Sequence, residues 1–127
     1  MIEQYKKVKE FQTAFGQPVA SELTDLSLDR IKLRSKILQE EVAELNEALL
    51  DDNYVEVADA ITDCIYILLG TAIEVGITGE QLEQCFAEVH RSNMSKLDDN
   101  GKPVLRADGK ITKGANYSAP NLKPIIK

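Results

Sequence analysis

The chain has 127 residues, enough for one compact domain with a modest core and too few for two. Its 21 acidic and 15 basic residues leave a formal charge of -6, which argues against a nucleic-acid backbone as partner but not against a small polyanion held through a metal. No N-terminal stretch joins a basic flank to an apolar run of signal length and no run is long enough to span a bilayer, so the expectation is a soluble, cytoplasmic protein without membrane or nucleic-acid partners.

An amphipathic segment from about Ile2 runs to Phe15 and stops at Gly16-Gln17-Pro18, the usual punctuation of a helix end. Ser27 is placed to cap a second helix from about Leu28 to Leu50, before a turn at Asp51-Asp52-Asn53. A third helix runs from Tyr54 to about Val75 and ends near Gly76, and Thr78 opens a fourth that reaches about Met94. Beyond it, Pro103–Arg106 and Lys110–Lys113 flank Ala107-Asp108-Gly109, which predicts a small β-hairpin with Asp-Gly in its turn. Residues Gly114–Pro120 are then expected to be extended.

The expected architecture is all-α, a single domain over 1–127 with a helical core over about 1–97 and a hairpin and tail over about 98–127. A tail rich in Lys and Arg beside an acidic body predicts that the tail folds back over the body or over a neighbouring subunit. Cys64 and Cys85 fall in separate helical patterns with no C-x-x-C spacing, which suits buried reduced thiols.

The third helix carries only Glu56, Asp59, Asp63 and Glu74 as charges, while Ile61, Cys64, Ile65, Tyr66, Ile67, Leu68 and Leu69 cover every side of it. A helix apolar all round is buried all round, and a chain this small can hardly bury it alone. A homodimer or homotetramer joined through this helix is expected.

On the second helix, Leu33, Ile37 and Ala48 share a stripe with Glu40, Glu41 and Glu44, because offsets of three and four residues share a face. Glu56, Asp59 and Asp63 repeat the pattern on the third. Two helices joined by so short a turn pack antiparallel, which sets the two acidic clusters on facing surfaces. Burying such carboxylates costs several kcal/mol, roughly, for each ion, so a positive group must sit among them. The two helices offer no Lys or Arg between Lys36 and the end of the third. Oxygen-only ligands are what Mg²⁺ and Mn²⁺ prefer, and paired metals about 4 Å apart clamp phosphate chains. Single residues also have plainer readings: Asn53-x-x-Glu56 has the spacing of a capping box, and Asp63 suits a buried acid held by a hydroxyl as well as a ligand.

Glu40-Glu41-x-x-Glu44 followed by Glu56-x-x-Asp59 resembles the signature of the all-α nucleoside triphosphate pyrophosphohydrolases, which include the MazG proteins, the dimeric dUTPases and phosphoribosyl-ATP pyrophosphohydrolase. "VHRSNMSKL" (89–97) and "DGKITKGANYSAPNL" further resemble the C-terminal part of a MazG-like, phosphoribosyl-ATP pyrophosphohydrolase-like subgroup. The resemblance implies a four-helix MazG-like bundle and Mg²⁺-dependent hydrolysis of a nucleoside triphosphate between the α and β phosphates. It implies Glu40, Glu41, Glu44, Glu56 and Asp59 around the metal, with Mn²⁺ as a substitute ion. Helix geometry puts Glu40 one turn before Glu44 and Glu41 about 100° further round, which favours Glu41 as the group that orients or deprotonates water.

A leaving pyrophosphate calls for further cations, and Arg91, Lys96, Lys110 and Lys113 are the basic side chains available, with Asn93 as a polar donor. His90, the only histidine, is expected to be structural. No Glu-x-x-His pair supports a di-iron bundle and no P-loop is present. Two alternatives stand beside the triphosphate reading: phosphoribosyl-ATP as the substrate, and a non-catalytic helical module whose acids bind metal for structure alone.

Overall fold

The computed structural model describes residues 1–127, and it is mostly helical. Four long helices, α1 (Ile2–Ala14), α2 (Leu28–Leu50), α3 (Tyr54–Val75) and α4 (Gly79–Met94), are followed by strands β1 (Val104–Leu105) and β2 (Ile111–Thr112) and a short α5 (Lys123–Ile126). No single helix is long and apolar enough to cross a membrane. The all-α class with a C-terminal hairpin is as expected, and α5 is an addition to it.

The chain divides into two compact units, Met1–Gly79 and Glu80–Lys127. The sequence placed its internal division at the end of the fourth helix, near residues 97 and 98. The second unit holds nearly all of α4 together with the hairpin and the tail.

In the first unit α3 packs against both α1 and α2. Local chemistry sets the ends of these helices. The Ser27 hydroxyl accepts the Arg30 amide at 3.2 Å, and the Asn53 side chain accepts the Glu56 amide at 3.3 Å, so each satisfies a first-turn donor. Gly76 ends α3 in the left-handed region at φ +83°, where a side chain would be strained. A Cβ there would also collide with the Glu22 carbonyl, because the 18–26 connection lies against this end of α3, with Ala20 and Thr24 donating to the Ile73 and Val75 carbonyls. Val8, Ala48, Ala60, Leu69, Ala72 and Ile73 form the buried apolar core, which is small.

In the second unit the tail lies along α4. Asn121 N–H donates to Glu88 Oε1 at 2.9 Å, Ser118 N–H donates to Ser95 Oγ at 2.9 Å, and Gln81 Nε2 donates to the Ile125 carbonyl at 3.1 Å. Gly114 N–H donates to the Lys96 carbonyl at 2.9 Å, an approach so close that a Cβ on Gly114 would come within 2.7 Å of the same oxygen. The hairpin pairs Val104 with Thr112 and Leu105 with Ile111, and Asp108 and Gly109 lie in its turn. The segment after Gly114 is not extended throughout, since it turns at residues 115–116 and ends in α5, where Pro124 sits in the first turn.

Candidate functional site

Two stripes meet where α2 and α3 run antiparallel. On α2 the stripe toward α3 passes through Arg30, Arg34, Glu41, Glu44 and Ala48, and on α3 the facing stripe passes through Glu56, Asp59, Asp63, Thr71 and Glu74. Intervals of three, four and seven residues on α2, and of three, four and eight on α3, put these side chains on one side of each helix. The seam is therefore acidic in its half nearest the turn and mixed in its far half.

Glu41 sits deepest in the acidic half. Its Oε2 is buried and has no hydrogen-bond partner. Burial, then the hydrogen bond and charge of neighbouring Glu44, then the charges of Asp63 and Asp59, raise its pKa above the ordinary carboxylate value. Asp63 is raised as well, first by burial and then by the charges of Asp59 and Glu44.

The structure brings Glu41, Glu44, Asp59 and Asp63 near one another, with Glu41 turned toward the seam and Glu40 away from it. Glu40 is exposed on the adjacent side of α2, whereas the seam turns Glu41 inward. Glu56 is exposed at the mouth of a cleft of about 320 Å³ that it lines with Glu44, Glu47, Asp51 and Asn53. Its amide is capped by Asn53, so half of the capping box is realised while its carboxylate still borders the cleft. No three of the chain's acidic, histidine or cysteine side chains converge as a ready-made cage for one ion. The donor set nevertheless suits a hard divalent cation: oxygen ligands alone, one of them a buried oxygen without a partner.

The basic residues singled out in the sequence all lie in the second unit. Arg91 is already paired: its Nε and Nη2 donate to the two oxygens of Glu88 at 2.9 and 2.8 Å, and Nη2 also donates to the Ala119 carbonyl at 3.2 Å. This fork, with the Asn121 amide, lowers the Glu88 pKa to about 2. In this arrangement Arg91 anchors the tail rather than standing free for a phosphate. Asn93 and Lys96 line a mostly apolar cavity of about 400 Å³ with Met94, Leu97, Pro103 and Ile111. Lys113 lies over the Tyr117 ring, 4.6 Å from its centre, and Lys110 follows the hairpin turn.

The far half of the seam was not legible in the sequence. Glu74 is 1% exposed, yet it meets Arg30 Nε and Nη2 at 2.9 and 2.8 Å and Arg34 Nη1 at 3.1 Å, and Gln12 donates to it from α1 at 3.3 Å. One signal was present: an acid inside the apolar C-terminal half of α3 requires a partner.

Comparisons with known proteins follow the same lines. Residues 8–93 match the phosphoribosyl-ATP pyrophosphohydrolase family. An uncharacterized protein of Acanthamoeba polyphaga mimivirus is 26% identical over 113 residues, which cover 86% of this chain and 41% of that protein, so the chain spans about two fifths of its curated relative. A crystal structure from Exiguobacterium, of a protein assigned to the NTP pyrophosphohydrolases, superposes with a TM-score of 0.53 at 24% identity, covering 97% of this chain and 93% of the other, and shares the fold. The match from α1 through most of α4 encloses the whole acidic seam, and the chain belongs to the phosphoribosyl-ATP pyrophosphohydrolase family.

Proposed function

We propose that the chain is a divalent-metal-dependent pyrophosphohydrolase that cleaves a nucleoside triphosphate to the monophosphate and pyrophosphate by attack of water at the α-phosphorus. One observation carries the reading: the family's own stretch of chain holds a seam of carboxylates with a buried, unpartnered oxygen at its centre. Such a cluster is repulsive in itself, and a divalent cation relieves the repulsion and can carry a polyphosphate with it.

Glu41, Glu44, Asp59 and Asp63 would hold Mg²⁺ or Mn²⁺, with Glu56 at the mouth of the cleft and Glu40 on the adjacent side of α2 as the remaining acid of the motif. The ion, when bound, neutralises phosphate charge and favours departure of pyrophosphate. Glu41 orients the attacking water and accepts its proton, a role suited to a carboxylate whose buried oxygen has no other hydrogen-bond partner. Lys96, Lys110 and Lys113 are the cations proposed for the leaving pyrophosphate, with Asn93 as a donor to phosphate or base.

The exposed stripe Ile61, Ile65 and Leu68 on α3, 43–52% exposed in the single chain, supports assembly through this helix.

The test is a panel of canonical and modified nucleoside triphosphates, with phosphoribosyl-ATP included because of the family's name, assayed with Mg²⁺ in isotopically labelled water. Monophosphate carrying the label, together with unlabelled pyrophosphate, is expected. Label in pyrophosphate, or release of inorganic phosphate and a diphosphate, would refute attack at the α-phosphorus. Metal binding without turnover of any substrate would favour the non-catalytic module.

A further inference from the structure

The two halves of the α2–α3 seam pull in opposite directions. Near the turn, Glu41, Glu44, Asp59 and Asp63 repel one another, and in the absence of a cation that repulsion favours parting or sliding of the two helices. At the far end Arg34 crosses from α2 onto α3. Its Nε donates to Thr71 Oγ1 at 3.0 Å, its Nη2 donates to the Ile67 carbonyl, and its Nη1 meets Glu74 at 3.1 Å. Three contacts to three successive turns of α3 fix the guanidinium along the helix axis as well as across it.

This crossing has a seat. Gly70 is buried beneath the guanidinium, and a Cβ on Gly70 would stand 2.5 Å from Arg34 Nη2. A guanidinium laid against a helix needs a residue without a side chain under it, so a slide of α2 by one turn would put a side chain in its place. Arg34 precedes Glu41 by seven residues, two helical turns or about 10 Å along the same face, with apolar Ile37 and Leu38 between them. The clamp therefore acts on the carboxylates through a rigid stretch of helix.

We infer that Arg34, seated on Gly70 and held by Thr71 and Glu74, is a positioning device that sets the register of α2 against α3 and so the spacing of the metal-binding carboxylates. It touches neither metal nor substrate. Clusters of ligands must be held to within about half an ångström to bind well, and the clamp supplies that constraint from the end of the seam where Glu74 draws the two helices together. The inference rests on the metal reading above.

Gly70→Ala tests it with little damage to the helix, because the group in the way is the end of a flexible side chain and alanine is the better helix former. Mn²⁺ binding to the intact chain without nucleotide, followed by electron paramagnetic resonance, is the readout, with circular dichroism to confirm folding. Gly70→Ala should displace Arg34 and weaken Mn²⁺ binding by roughly tenfold or more, while the metal-free protein keeps its helical content. Thr71→Val is isosteric, removes the acceptor of Arg34 Nε together with the hydroxyl's own bond to the Ile67 carbonyl within α3, and should weaken Mn²⁺ binding in the same direction by a smaller factor; it decides the matter if Gly70→Ala does not fold. A folded variant that binds Mn²⁺ as tightly as the wild type would overturn the positioning role and leave the proposed function standing. A wild-type protein that binds no Mn²⁺ would instead overturn the metal reading and this inference with it.

Discussion

Arg30 closes on Glu74 with two parallel hydrogen bonds, Nε to Oε1 at 2.9 Å and Nη2 to Oε2 at 2.8 Å, across 44 residues of chain. The acceptor is fully buried while the donor keeps a quarter of its side-chain surface, so Glu74 depends on this fork and on Arg34 for its charge balance. Replacing Glu74 by alanine leaves Arg34, only 10% exposed, without its counter-charge. The expected cost is about 3 kcal/mol, the usual consequence of breaking a buried pair from one side. Urea unfolding would show it as a lower midpoint at unchanged slope.

The acidic half of the seam carries a pH signature. Glu41 and Asp63 hold their protons more tightly in the folded protein than in the unfolded chain, so they favour folding at pH below the unfolded carboxyl range. That contribution is lost as pH rises through their raised folded values. Glu88 has the opposite sign: its pKa of about 2 stabilises the fold above the unfolded value and ceases to do so as pH falls toward 2. In chelator, thermal stability should decline as pH rises through the upper carboxylate range, and Mg²⁺ should abolish that decline. Glu44→Ala removes a charge that raises both groups and should flatten the same slope without metal, while abolishing Mg²⁺-dependent turnover. An identical slope in chelator and in Mg²⁺ would count against a cation site here.

Glu41→Gln keeps size and shape but removes the charge and nearly all basicity. Turnover should fall by roughly two to four orders of magnitude, the usual worth of general-base catalysis, while Mn²⁺ and nucleotide still bind. Loss of both ligands together would show that Glu41 acts chiefly as a ligand.

Ile61, Ile65 and Leu68 form a continuous exposed row on α3. Light scattering of the wild type should report a dimer or larger assembly at micromolar concentration. Ile65→Lys, which places a charge in the middle of that row, should shift the population toward monomer. A wild type that is monomeric under those conditions would refute assembly through this face.

The helix ends were written in local chemistry. Ser27 and Asn53 cap from within one turn of the residues they satisfy, and Gly76 ends α3 through its own backbone freedom, so α2 and α3 span the residues expected of them. The facing of two acidic clusters was equally legible, because a short turn forces its helices antiparallel and a helical repeat keeps carboxylates three and four residues apart on one face. Which glutamate of the adjacent pair turns inward was not. Glu40 and Glu41 differ by 100° of rotation about the axis of α2, roughly, and only packing against α3 sets that rotation. Arg30, Arg34 and Glu74 were invisible for a related reason: their attraction is long-range along the chain, and sequence spacing carries no record of it. Arg91 has partners on the preceding turn of α4 and on the tail, and the contact with the tail could not be read from sequence spacing. What the residues determined by themselves was whatever a single turn of helix can enforce, and tertiary structure decided the rest because rotation about a helix axis and pairing between distant turns depend on the whole packed seam.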